Sequence, residues 1–178
     1  MTFASIIEQV IEMEGGLSMD PDDPGNWTGG AKGRGELKGT RFGISAAQFP
    51  NEDIRNLTKA RAIELYAEVY YYAPKIDRLP GALQLVALDA TVHHGPGSKR
   101  LDDDGGVRFL QRALGVTDDG AIGPQTVQAA ESADPLLVNC RSLGYRLRYM
   151  TYVPTWSKNS RGFARRIAHL LISQELVR

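Results

Sequence analysis

With 178 residues, 42% of them hydrophobic and 24% charged, the chain can bury one sizeable core and has the composition of an ordinary soluble globular protein. A formal net charge of zero argues against a nucleic-acid binder, and the single cysteine, Cys140, rules out an internal disulfide framework and a CxxC metal site. The charge is nevertheless uneven: residues 141–178 carry eight Lys or Arg against the one acid Glu175, whereas residues 1–140 carry 13 basic and 20 acidic residues. A basic C-terminal region favours contact with an anionic polymer such as a cell wall or, weakly, a membrane surface; a solvated arginine-rich helix face is the plainer alternative.

At the N-terminus, Phe3, Ile6, Ile7, Val10 and Ile11 recur at three- and four-residue steps, which predicts an amphipathic helix. Extending that face reaches Glu14, after which Gly15 and Gly16 end the helix. Two readings stand for Glu14. It is either the solvated last turn, or a partly desolvated carboxyl whose pKa is raised by burial and by the helix C-terminus, as a general acid requires. Asp20, Asp22 and Asp23 follow in a Gly/Pro-rich loop, and Thr40 lies just before Phe42-Gly43-Ile44. An acid at a helix end, with a carboxylate and a hydroxyl on the next irregular segment, suits cleavage of a glycosidic bond. The segment MTFASIIEQVIEMEGG has no basic n-region and no cleavage site, so synthesis in the cytoplasm without a signal peptide is expected. No run approaches the roughly twenty apolar residues that span a bilayer.

Residues 45–49 predict a short helical turn closed by Pro50. Thr58 is placed to cap a helix carrying Ala62, Leu65, Tyr66, Val69 and Tyr70 and running to about Tyr72, before Pro74. Its tyrosines are read mainly as core, with stacking on a sugar as the alternative use of Tyr70. Leu79-Pro80-Gly81 opens a helix over 82–94, on which Asp89 and His93 are i,i+4 neighbours able to share a hydrogen bond. His93 and His94 should face different ways with no third ligand at zinc spacing, so no metal site is expected. Residues 101–106 read as a turn before a helix over 107–114 closed by Gly115, and 117–120 as another turn. Gly123-Pro124 starts the next helix, Asp134-Pro135 one that runs to about Tyr152, and a final helix over 162–176 buries Phe163, Ile167, Leu170 and Leu171. Apart from a short β-ribbon within 27–44, nothing alternates with period two, and the fold class is all-α.

The order of motifs is more specific than any one of them. Glu14-Gly15-Gly16, Asp20-Pro21-Asp22-Asp23-Pro24-Gly25 and Thr40-Arg41-Phe42-Gly43-Ile44-Ser45 resemble the opening of glycoside hydrolase family 108, lysozyme-like N-acetylmuramidases that include many phage endolysins. The resemblance continues through Asp89 to Gly97 (DATVHHGPG), Leu110 to Gly115 (LQRALG), Asp119 to Thr126 (DGAIGPQT) and Phe163 to Ile167, and so covers nearly the whole chain. It departs in the insertion over 26–39, which brings Trp27 and a second hydroxyl, Thr28, and at His93, where the family tends to have Asn.

The resemblance implies a lysozyme-like fold with a catalytic part over 1–97 and a helical part over 98–178 resembling a peptidoglycan-binding region, packed as one globule. It implies Glu14 as catalytic acid, Asp23 as second carboxylate and Thr40 as the hydroxyl that orients water. Asp20, Trp27, Tyr70, Asp89 and His93 are the expected substrate contacts, with Trp27 on a lid or on a longer surface hairpin. Peptidoglycan strands are the expected partner, no cofactor is needed, and a monomeric endolysin released to the wall through a holin is the expected biology. A muramidase packaged in a phage-like particle or secretion system is the alternative that shares the same sequence features. Two rivals remain: a non-catalytic peptidoglycan-binding protein, and a lytic transglycosylase, which needs one acid but forms an anhydro product. An amidase or peptidase would need a zinc triad or a Cys-His pair, and Cys140, flanked by Leu136, Leu137, Val138 and Leu143, is a poor nucleophile candidate.

Overall fold

The computed structural model describes residues 7, 8, 11, 16–97 and 104–173. Its contacts divide the chain into two compact units, one formed by Thr2–Ala67 and the other by Glu68–Arg178 together with Met1. The described residues form six α-helices and one two-stranded ribbon, so the chain is mainly α-helical as its periodicity predicts.

In the first unit, Ile7 and Ile11 are helical and buried, one turn apart as the apolar stripe requires. Helix α1 (Lys59–Tyr66) begins where expected: the Thr58 side chain accepts a hydrogen bond from Arg61 N. Strands β1 (Thr40–Arg41) and β2 (Ile44–Ser45) pair antiparallel through Phe42-Gly43, both with positive φ (52° and 75°). That is the signature of a two-residue type I′ turn, whose twist matches the strands but is costly for a bulky first residue. Two contacts hold Phe42 there: Tyr66 Oη donates to its carbonyl at 2.8 Å, and the Arg41 guanidinium lies 5.3 Å from its ring centre.

The helical segment predicted to reach Tyr72 changes character on the way. After α1 it widens into a π-helical stretch over Ala67–Tyr72, with Ala73 N bonding back to Glu68 O in the i→i+5 pattern. Tyr70 and Tyr71 are buried and Tyr72 is exposed, in keeping with the core reading of Tyr66 and Tyr70.

The second unit is built on α2 (Gly81–His94), which is buried on nearly every side through Leu83, Leu85, Val86, Ala87, Leu88 and Ala90. A helix apolar all round belongs in the middle of a bundle. It packs with α3 (Gly106–Leu114) and α5 (Pro135–Met150), while α4 (Pro124–Ser132) packs on α3 and α6 (Trp156–Ser173) on α5. The α2–α3 approach needs a glycine: a Cβ on Gly106 would lie 2.3 Å from Thr91 N. The expected caps are present, with Gly115 in the left-handed conformation after α3, Pro124 at the start of α4, and Asp134 accepting from Leu136 N and Leu137 N before α5.

The last helix differs from its prediction. It starts at Trp156, six residues before Gly162, because a glycine inside a helix costs only about 1 kcal/mol and packing outweighs it. Its buried face runs Ile167, Leu170, Ser173, and Leu171, expected inside, is 43% exposed. Among the described residues no helix is long and apolar enough to cross a membrane.

Candidate functional site

The polar loop of the first unit is assembled around one side chain that the sequence reading passed over. Asp20 Oδ1 accepts from Asp22 N at 2.9 Å, and Asp23 caps the 3-10 turn Pro24–Asn26 by accepting from Gly25 N at 2.8 Å. The turn delivers Asn26 into the interior, where it is fully buried. Its Nδ2 donates to Asp20 O at 2.8 Å, and its Oδ1 accepts from Thr40 Oγ1 at 2.7 Å. Its main-chain carbonyl accepts from both Lys38 N and Gly39 N. Asn26 thus joins the aspartate turn to β1, which is also paired to Ser18 through reciprocal Ser18–Thr40 main-chain bonds of 2.8 and 2.9 Å.

The loop brings Asp20, Asp23 and Thr40 into one hydrogen-bonded assembly. Asp20 and Asp23 are exposed, and each commits one oxygen to a turn. Glu14, the expected acid, lies outside the described residues. The 26–39 insertion is a hairpin closed by a Trp27–Leu37 bridge and by Thr28 N to Glu36 O at 3.0 Å. Thr28 Oγ1 is used within it, accepting from Glu36 N at 2.9 Å, whereas Thr40 Oγ1 belongs to the aspartate assembly. Trp27 is half-buried, its Nε1 donating to Pro21 O at 2.9 Å.

In the second unit Asp89 is fully buried, and here the expected hydrogen bond to His93 is not the one formed. The carboxylate is ion-paired to Arg146 and to Arg166, whose Nε lies 3.0 Å from Oδ1. Arg146, itself 1% exposed, then reaches past Asp89 to His93 Nδ1 and His94 Nε2, each at 3.0 Å. Successive helix residues were expected to diverge, yet both rings turn onto this guanidinium and meet edge-on with centroids 4.3 Å apart. Charge explains the arrangement. A buried carboxylate paired by one arginine from α5 and one from α6 fixes a guanidinium whose spare N–H groups need acceptors, which neutral imidazoles supply.

The titration behaviour follows. Burial works to raise the Asp89 pKa, but the Arg146 and Arg166 charges and hydrogen bonds overcome it and hold the carboxyl below its usual range. Burial, reinforced by Arg146, pushes His93 down to about 4 and His94 lower still. Tyr70, expected to contact substrate, is buried, and its carbonyl accepts from Thr91 Oγ1 at 3.0 Å.

The DGAIGPQT segment is fastened to α3 by another residue the sequence reading gave no role. Gln111 Nε2 donates to Asp119 Oδ1 at 2.8 Å, to Ala121 O at 3.1 Å and to Thr126 Oγ1 at 3.3 Å, while Gln111 Oε1 accepts from Gly120 N at 2.8 Å. Two separate motifs, LQRALG and DGAIGPQT, therefore form one interlocked structure.

A mainly helical fold, with an aspartate-rich loop clamped to a short ribbon, is that of the lysozyme-like class, and its exposed carboxylates suit cleavage of a glycosidic bond. Comparison with known families makes the class particular. The Glycosyl hydrolase 108 family model matches residues 7–95, and the chain belongs to that family. A second family model, described as a Predicted Peptidoglycan domain, matches residues 105–163. Among solved structures, SagA of Brucella abortus is similar, with a TM-score of 0.76 at 26% identity, over 98% of this chain and 94% of that one. No curated protein gives a significant match. The chain is a glycoside hydrolase, and its polymer is peptidoglycan.

Proposed function

We propose that the chain is an N-acetylmuramidase, cleaving the β-1,4 bond between N-acetylmuramic acid and N-acetylglucosamine. Glu14 protonates the leaving oxygen, Asp23 stabilises the oxocarbenium-like centre or helps activate water, and Thr40 orients that water. The observation that carries the reading is the Asn26 clamp. It ties the Asp20–Asp23 turn to the Thr40 strand, so carboxylate and hydroxyl are held by one rigid assembly rather than by two independent loops. In this reading the C-terminal helical part holds the glycan strand. The protein is a monomeric, bacteriolytic phage or prophage endolysin, made in the cytoplasm and released to the wall through a holin.

The test is clearing of purified peptidoglycan by wild type and Glu14→Gln in parallel, with mass spectrometry of the digests. Clearing by wild type alone, with new reducing ends on muramic acid, is the expected result. Anhydro products would make the enzyme a transglycosylase, and equal clearing by both proteins would remove Glu14 from the mechanism.

A further inference from the structure

Residues 135–173, which contain α5 and α6, include no Asp or Glu at all. Two of their seven cations, Arg146 and Arg166, turn inward onto Asp89. The other five (Arg141, Arg148, Lys158, Arg161 and Arg165) are exposed and make no ion pair among the described residues. On α5 the exposed cations are not scattered. Arg141, Tyr145 and Arg148 stand at i, i+4 and i+7, one face of a helix. With Gly144 they line a groove of about 260 Å³. The Arg148 guanidinium lies 5.5 Å from the Tyr145 ring centre, which orders both groups. Gly144 leaves the groove floor open, since a Cβ there would meet nothing within 4 Å.

We propose that this face of α5 is a docking site for peptidoglycan apart from the catalytic loop, in which Arg141 and Arg148 bind stem-peptide carboxylates and Tyr145 lies under a sugar ring. The inference rests on the chain acting on peptidoglycan and names the chemistry by which its second unit holds that polymer. Stem peptides make peptidoglycan a polyanion of carboxylates, the group a guanidinium pairs with in planar, two-pronged fashion. A tyrosine ring offers the flat apolar face that a pyranose C–H surface covers. A membrane-seating helix would put apolar side chains at the centre of such a face. Here the centre is Arg-Gly-Tyr-Arg, and the exposed apolar residues Leu137 and Tyr152 lie only at its ends.

The test is co-sedimentation of the full chain with purified sacculi, comparing wild type, Arg141→Glu/Arg148→Glu and Gly144→Leu. The double reversal should weaken binding by about tenfold or more, as like charges brought together at a contact do. Gly144→Leu fills the groove while improving helix propensity, so it should lose binding with an unchanged or raised Tm. Wild type on sacculi whose carboxylates have been amidated should bind no better than the double variant on untreated sacculi. Wild-type binding by both variants would overturn the proposal. So would a loss confined to phosphatidylglycerol vesicles, which would assign the face to a membrane. A wild type that binds through this face but releases no reducing ends would overturn the hydrolase reading and leave the docking face standing.

Discussion

Thr40 Oγ1 donates to the buried Asn26 Oδ1 at 2.7 Å, and that bond connects the ribbon to the aspartate turn. Because Asn26 also donates to Asp20 O and accepts from Lys38 N and Gly39 N, its side chain and main chain together define the loop. Asn26→Ala leaves the Asp20 carbonyl and the Thr40 hydroxyl without this partner in a part-buried site. It should cost roughly 2–6 kcal/mol in urea unfolding, at about 1–3 kcal/mol for each of the two unsatisfied groups. Clearing of peptidoglycan should fall further than the loss of folded protein explains. Parallel losses would mean that the clamp serves stability alone.

Asp89 pairs with the buried Arg146 and with the partly exposed Arg166. Asp89→Ala removes the carboxylate that balances the Arg146 and Arg166 charges, and removing one member of a buried ion pair costs about 3–5 kcal/mol. Denaturant unfolding should show a loss of that size, and a change below about 1 kcal/mol, as for a surface pair, would contradict the burial argument.

The histidines beside that pair set an acid limit. The folded-state pKa of His93 is lowered to about 4, below the unfolded value, so between pH 6.5 and 4 the unfolded chain binds the extra proton and the folded chain does not. Stability is therefore full above pH 6.5 and falls as pH drops through that window. Each pKa unit of difference is worth ~1.4 kcal/mol, which puts the fall from His93 on the order of 3 kcal/mol. His94, shifted in the same direction, adds to it. Tm measured from pH 7 to 4 should drop, and the drop should shrink in His93→Asn.

Local signals in this chain were legible because they depend only on neighbours. Thr58, Gly115, Pro124 and Asp134 punctuate helices through backbone chemistry within a few residues, and the sequence places each correctly. The Phe3-to-Ile11 stripe likewise identifies Ile7 and Ile11 as buried. What stayed hidden depends on distant partners. Nothing near Asp89 announces Arg146 or Arg166, 57 and 77 residues away, so the i,i+4 neighbour His93 looked like its partner. Asn26 looked like the first residue of an insertion, although its place after Pro24-Gly25 is where an Asn closes a turn. The widening of the helix at Ala67–Tyr72 stayed hidden because Val69 and the three tyrosines, although only middling helix formers, carry no local signature of an i→i+5 ladder.

Helices α2 and α3 meet at Gly106, where an added Cβ would sit 2.3 Å from Thr91 N and 2.4 Å from Ala90 C. Those atoms are helix backbone and cannot rotate aside. Gly106→Ala should therefore destabilise by about 3 kcal/mol, the upper end of overpacking costs, despite the better helix propensity of alanine. Thermal unfolding decides it, because a raised Tm would show that the two helices can separate cheaply.

Gln111 offers the sharpest test of the interlocked loop, since Gln111→Glu changes almost no volume. In the wild type, Nε2 donates to Asp119 Oδ1 and Ala121 O, and this contact is the leading reason that Asp119 titrates below its usual range. The substitution replaces that donor by a carboxylate oxygen facing two acceptors. Loss of the bonds and burial of an unmatched charge should together cost roughly 3 kcal/mol or more at neutral pH. The sign with pH is opposite to that of the histidines. The introduced carboxyl has a raised folded-state pKa, because protonation restores a donor toward Asp119, so its penalty is full above that pKa and shrinks on acidification. Unfolding at pH 7 and pH 5 should show the gap between Gln111→Glu and wild type narrowing at the lower pH. A gap that stays constant would mean that the DGAIGPQT loop is held by its own turn chemistry, with Gln111 a bystander.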